Sequence, residues 1–172
     1  GHLVLSTVHT NSAAGAIPRL LDMGVESFLL VSTLDVIIAQ RLVRRLCASK
    51  EEHVLTAAKL KALAKSVDLE RVLAFLKEEK IVHENDTWEK IPFYSPKKSA
   101  ECEDGYSGRI GIHEVLKVTS SIKELLLKGA SSDAIEAQAK KEGMTTMIED
   151  GIFLAVQGIT TIEEVLRVVS SD

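Results

Sequence analysis

Gly1-His2-Leu3-Val4-Leu5-Ser6-Thr7-Val8-His9-Thr10-Asn11-Ser12-Ala13-Ala14-Gly15-Ala16 is the stretch on which the reading of the fold turns. Leu3-Val4-Leu5 is a short apolar run of the kind that forms a buried strand of a parallel sheet. Thr10, Asn11 and Ser12 follow, and their side-chain oxygens suit helix N-caps. Strand, polar loop and helix in that order point to an α/β fold. Such folds bind ligands at the carboxyl ends of their strands, where a helix N-terminus also presents N–H groups to anions. His9 stands at that place and can hydrogen-bond a phosphate oxygen or an attacking water. The plainer alternative is a histidine that caps a strand end. A single strand with no partner close by in sequence leads us to expect a piece of a longer protein.

Outward from this stretch, a helix is expected to Met23, with Gly24 as its stop and Pro18 kinking it or delaying its start. A second helix is expected over Ser27 to Leu46. Its first half is apolar all round and so buried; its second half sets Gln40, Arg41, Arg44 and Arg45 against Leu42, Val43 and Leu46. Cys47 to Tyr106 has a different character. Helices are expected over Thr56 to Ser66 and over Asp68 to Glu79, the latter capped by Asp68. Ile81-Val82-His83 and Trp88 to Tyr94 then flank Asn85-Asp86 as a hairpin would.

Arg109 to Val118 alternates as a strand through Ile110, Ile112, Val115 and Val118. Helices follow over Ser121 to Lys128, Ser132 to Lys141 and Thr145 to Gln157, stopped by Gly129, Gly143 and Gly158. A last helix starts at Thr160, which has capping-box spacing to Glu163. The organisation expected is therefore a core portion over residues 1–46, an inserted α+β subdomain over 47–106, and a returning strand with a helical C-terminal region over 107–172.

Composition excludes several classes. Of the 172 residues, 45% are hydrophobic, enough for a real core, so wholesale disorder is not expected. The net charge of −4 argues against nucleic acid as the main partner; Arg41, Arg44 and Arg45 read as a solvated helix face. The most apolar stretch, Phe28 to Leu42, is broken by Asp35 and Arg41 and is too short to cross a bilayer. The start of the chain does not read as a signal peptide. Two cysteines suit a reducing compartment better than a disulfide scaffold.

The chain lacks much of a nucleotide site. No glycine is followed by lysine, as a phosphate loop requires. No apolar strand ends in the Asp or Glu that magnesium and water activation need. Cys47, His53 and Cys102 with a carboxylate such as Glu101 could form a zinc site; the alternative is two unpaired thiols. Lys50 stands three residues after Cys47 and Ser99 three before Cys102, so the C-x₂-C pairs that pre-arrange zinc are incomplete, and unpaired thiols are expected. Gly105-Tyr106-Ser107-Gly108-Arg109-Ile110-Gly111 does not match a dinucleotide loop. Gly105 and Gly108 are expected to set a turn, and Gly111 to let another backbone approach.

Four segments, in order, resemble one family. Residues 1–16, continued by Arg19-Leu20-Leu21-Asp22-Met23-Gly24, look like the histidine box of the type II secretion and type IV pilus-assembly ATPases. Ala39 to Cys47 is similar to that family's helix leading into its metal-binding insert. Gly105 to Leu116 resembles the segment that returns from it. Gly143 to Met147, Glu149-Asp150-Gly151 and Gly158 to Arg167 resemble its C-terminal end.

The resemblance implies the C-terminal portion of a RecA-like P-loop ATPase core. It also implies ATP and Mg²⁺ as cofactors, a homo-hexameric ring, and mechanical work on an inner-membrane platform protein, with the motor in the cytoplasm and peripheral to that membrane. His9 falls on the family's γ-phosphate-sensing histidine. His2 is the other histidine of the box, and Thr10 and Asn11 lie close to the nucleotide. The phosphate loop, the magnesium and base carboxylates and the N-terminal arginines of the family lie upstream, so this chain alone is not expected to hydrolyse ATP.

The sequence departs from the family at Pro18 and in its insert, which resembles the family in position more than in sequence. Each zinc-binding pair is half lost, so Cys47 and Cys102 read as remnants and zinc is not expected. Two other readings stay open: a non-enzymatic interaction module descended from such an ATPase, and a winged-helix-like nucleic-acid binder formed by the insert, against which its mixed charge speaks.

Overall fold

Val36-Ile37-Ile38 and Val43 are β-branched, and in the computed structural model, which describes residues 2–169, they sit in a strand. The helix expected over Ser27 to Leu46 is therefore two elements, α2 (Ser27–Thr33) and β1 (Val36–Leu46). An apolar run looks alike to both periods, and β-branching decides for the strand. The hydroxyls of Ser32 and Thr33 donate to the Leu29 carbonyl at 3.0 and 2.7 Å, a local alternative to the helical ladder where α2 ends. Nor is the first half buried: Leu30 is buried, whereas Phe28 and Leu29 are exposed.

The Leu3-Val4-Leu5 strand does not form either. All three residues are exposed and in no ladder, because no described strand lies beside them to take their N–H and C=O groups. Gly1 and residues 170–172, which open the first segment and close the last, lie outside the described residues.

The elements divide into two units. The first takes the chain up to Gln40 and His113–Thr146. It holds α1 (Ala16–Asp22), α2, α5 (Ser120–Leu127) and α6 (Ser132–Lys141). Pro18 lies in the first turn of α1, where a missing N–H is tolerated, so the helix starts at Ala16 rather than near Thr10. Thr119 caps α5 and Ser131 caps α6 through their hydroxyls. The core joins Ala13, Ala14 and Ile17 to Leu116, Ile122 and Ile135.

The second unit takes Arg41–Ile112 and the chain from Met147 on. It holds β2 (Lys50–Val54), α3 (Ala57–Leu63), α4 (Leu69–Glu78), β3 (Pro92–Pro96), α7 (Met147–Val156) and α8 (Ile162–Val169). Thr56 caps α3, and Asp68 caps α4 as expected. The hairpin around Asn85-Asp86 is absent. β3 pairs instead with β2, antiparallel, with Lys50 opposite Pro96 and His53 opposite Phe93. The Asp86 carboxylate accepts the His83 N–H at 2.8 Å and closes a side-chain turn where the hairpin was expected. Trp88 is buried, stacks on Phe93 at 6.5 Å between ring centres, and donates its indole N–H to the Leu69 carbonyl at 3.2 Å.

β4 (Tyr106–Lys117) pairs with β1 in a two-stranded ribbon. Cys47 N–H donates to Gly105 O at 3.0 Å and Val118 N–H to Asp35 O at 2.9 Å. These end bonds run in opposite chain senses, so the ribbon is antiparallel. The alternation differs from the expected one: Ile112, Glu114, Leu116 and Val118 are buried, and Val115 faces out.

The capping residue of α8 is also one later than expected. Thr161 Oγ1 accepts the Glu164 N–H at 3.2 Å, while Thr160 Oγ1 donates to the Arg44 carbonyl at 2.8 Å. Gly158 ends α7 in the left-handed region at φ +68°. A Cβ there would meet Lys50 Nζ at 2.6 Å and Tyr94 Cδ2 at 2.8 Å, so only glycine fits.

Candidate functional site

His9 lies on the surface, as do His2 and Asn11, and Thr10 is half-buried. The Thr10 hydroxyl donates to the Ser12 carbonyl at 3.1 Å, and the Ser12 hydroxyl accepts the Gly15 N–H at 3.1 Å. The next amide is engaged as well: Ala13 N–H donates to Glu114 Oε1 at 2.8 Å. Ala16 N–H and Ile17 N–H go to the carbonyls of Ala13 and Ala14.

Of the N–H groups after Ser12, those of Ala13, Gly15, Ala16 and Ile17 are thus engaged within the protein, which narrows what this helix start offers to an anion. The His9 imidazole is solvent-facing, able to donate to a phosphate oxygen or to accept from a water. Glu114 escaped the sequence reading. Its only signal was that it stands in the inward row of an alternating strand, where a carboxylate is out of place.

Beside the end of β1 and the start of β4 the two cysteines are joined. Cys47 and Cys102 form a disulfide with Cα atoms 6.7 Å apart, and the described residues hold no free cysteine. The expected pair of separate thiols is corrected. β1 ends at Leu46 and β4 begins at Tyr106, so their pairing carries Cys47 and Cys102 to one place. Ser99 and Cys102 close a tight bridge by exchanging backbone hydrogen bonds of 3.0 and 3.1 Å.

The residues in the remaining C-x₂-C positions do not fit zinc. Lys50 donates its ammonium to the Gly158 carbonyl at 2.6 Å and lies 4.7 Å from the Tyr94 ring centre, and Ser99 offers only a hydroxyl. No cluster of three or more His, Cys, Asp or Glu side chains poised for a metal occurs among the described residues.

A third cluster joins β1 to α8. The buried Glu164 carboxylate accepts from Arg167 and Arg44. These bonds, chiefly that of Arg167, hold its pKa well below the usual 4.5, at about 2, against the opposing effect of burial. Glu149, also buried, pairs with Arg71 of α4 at 3.2 Å.

This mixed helix-and-strand chain, with its surface histidine turn and its paired strands β1 and β4, belongs to the Type II/IV secretion system protein family, whose model matches residues 1–167. It is similar to the type IV pilus assembly ATPase PilB of Pseudomonas aeruginosa, with 40% identity over 172 residues, covering 98% of this chain and 27% of that protein. It is also similar to type II secretion system protein E of Xanthomonas campestris pv. campestris, with 44% identity over 169 residues and the same two shares, 98% and 27%. Type II secretion system ATPase E of Vibrio cholerae is 37% identical over 169 residues, 98% of this chain and 30% of that protein. The chain thus spans roughly a quarter to a third of the length of these relatives. Among the described residues no helix is long and apolar enough to cross a membrane.

Proposed function

We propose that this chain is the C-terminal part of a hexameric motor ATPase that couples ATP hydrolysis to protein secretion or type IV pilus assembly at the inner membrane. Membership of the secretion-system family over residues 1–167, with relatives named as ATPases, carries the reading. In it, residues 1–46 complete a RecA-like core, 47–106 form the insert and 107–172 form the returning strand and helical end. His9 faces the γ-phosphate of ATP, with His2, Thr10 and Asn11 nearby. Magnesium and the phosphate loop are supplied by sequence that this chain does not contain, and a platform protein at the cytoplasmic face of the membrane receives the work.

His9 suits this role because its ring stays in solvent while the turn behind it is held by Glu114 and Ser12. The test is His9→Ala in the full-length protein, with ATP turnover and nucleotide binding measured together. Turnover is expected to fall by about tenfold or more, the usual size of a lost transition-state contact. Undiminished turnover would overturn the assignment of His9. The isolated chain is expected to show no sustained phosphate release.

A further inference from the structure

Glu114 sits in the inward row of β4 between Ile112 and Leu116; it is 4% exposed and they are fully buried. A carboxylate in that row is costly to desolvate and packs no better than leucine, so its place depends on what it bonds. Its Oε1 accepts the Ala13 N–H at 2.8 Å across 101 residues of sequence. Ala13 and Ala14 are themselves buried in the apolar cluster that contains Leu116. The chain is therefore clamped at Ala13 by a charge-assisted hydrogen bond and by apolar burial together.

His9 stands four residues before that clamp. Between them the Thr10 and Ser12 hydroxyls tie the turn through bonds of 3.1 Å each. Before Val8 the chain is exposed and joins no ladder. The Glu114–Ala13 bond is thus a fixed point close behind His9.

We infer that Glu114 is a positioning residue for His9: through the Ala13 amide it sets where the imidazole stands. The inference rests on the reading of His9 as the group that faces the γ-phosphate. Moving Ala13 by a fraction of an ångström moves the whole tied turn, and hydrogen bonds to phosphate weaken steeply with misplacement.

The test compares His9→Ala, Glu114→Ala and Glu114→Gln in the full-length protein. The probes are ATPγS and ADP, with each affinity and the melting temperature measured. Glu114→Ala is expected to reduce the preference for ATPγS over ADP by about tenfold, the size of one charge-assisted bond, while ADP affinity holds. Glu114→Gln keeps an oxygen for the Ala13 N–H and is expected to restore most of the preference. A purely structural role would lower both affinities together with the melting temperature, and that result overturns the inference.

If His9→Ala abolishes the preference and Glu114→Ala leaves it intact, the positioning role fails and the reading of His9 stands. If His9→Ala leaves the preference intact, that reading fails and the inference fails with it. Should Glu114→Ala not fold, Glu114→Asp takes its place, keeping the charge with a shorter reach. A preference below that of Glu114→Gln then supports the role, and equality with the unaltered protein overturns it.

Discussion

Arg44 and Glu164, 120 residues apart in sequence, are bound to each other twice: the Arg44 backbone N–H donates to Glu164 Oε2 at 3.2 Å and its guanidinium to Oε1 at 2.7 Å. Arg167 adds two further bonds at 3.1 and 2.8 Å, so the carboxylate accepts from two guanidiniums and one amide. The Arg44 guanidinium also lies over the Tyr106 ring, 4.0 Å from its centre, and the Tyr106 hydroxyl meets Thr161 Oγ1 at 3.3 Å. Arg44 lies near the end of β1 and Tyr106 opens β4. Through Arg44, one buried carboxylate on α8 is therefore linked to the start of β4 as well as to β1.

Acid should loosen this joint. Glu164 titrates at about 2 in the folded protein against an ordinary 4.5, so its stabilisation is fully present above pH 4.5 and is lost as pH falls toward 2. A shift of that size corresponds to about 3 kcal/mol before screening. The partner guanidiniums are 43% and 57% exposed, so solvent reduces the figure to about 1–2 kcal/mol. Urea unfolding of the chain between pH 6 and pH 3 measures it. Glu164→Gln is expected to be less stable at pH 6 and to show a flatter decline toward pH 3. An acid limb of unchanged slope in Glu164→Gln would place the sensitivity elsewhere.

Gly151 lies inside α7 at the point where α8 crosses closest. A Cβ on it would meet Val165 Cγ2 at 2.8 Å and Val165 Cβ at 3.2 Å, and both residues are buried. Alanine is the better helix former in isolation. Here the overlap should outweigh that gain, and Gly151→Ala is expected to cost about 1–3 kcal/mol. Val165→Ala, which empties the same space, should lose stability by itself yet partly rescue Gly151→Ala. Additive losses in the double-mutant cycle would show that the two sites do not share that space.

What could be read from the sequence follows from what each element depends on. Caps and stops are local, and Thr56, Asp68, Gly129 and Gly143 stand where their side chains or backbone freedom placed them. Strand pairing is not local. The 36–46 segment was apolar enough to pass for a helix, and the partner of β3 proved to be β2 rather than its neighbour in sequence. Leu3-Val4-Leu5 had the pattern of a strand but no described neighbour to make it one. At the candidate site, His9 and its flanking hydroxyl residues can be nominated from sequence, because the residue types carry the chemistry. Glu114 was not, because only the pairing of distant segments reveals which amide it serves. The pairing of Cys47 with Cys102 was hidden for the same reason.

The disulfide makes the last expectation. It closes a loop of 55 residues between Cys47 and Cys102. Closing a loop of that size removes unfolded-chain entropy worth up to about 4 kcal/mol, with about 2–4 kcal/mol usual in practice. The oxidised chain should therefore melt higher than the reduced one by on the order of 10 °C for a protein of this length. Cys102 is nearly buried, so reduction should need prolonged exposure to reductant or a mild denaturant. Thermal melts with and without reductant, alongside intact mass to count the two hydrogens gained, measure the effect. Cys102→Ser should melt near the reduced chain and be indifferent to reductant. If the oxidised and reduced chains melt together, β1 and β4 alone hold the neck, and the bond adds nothing to stability.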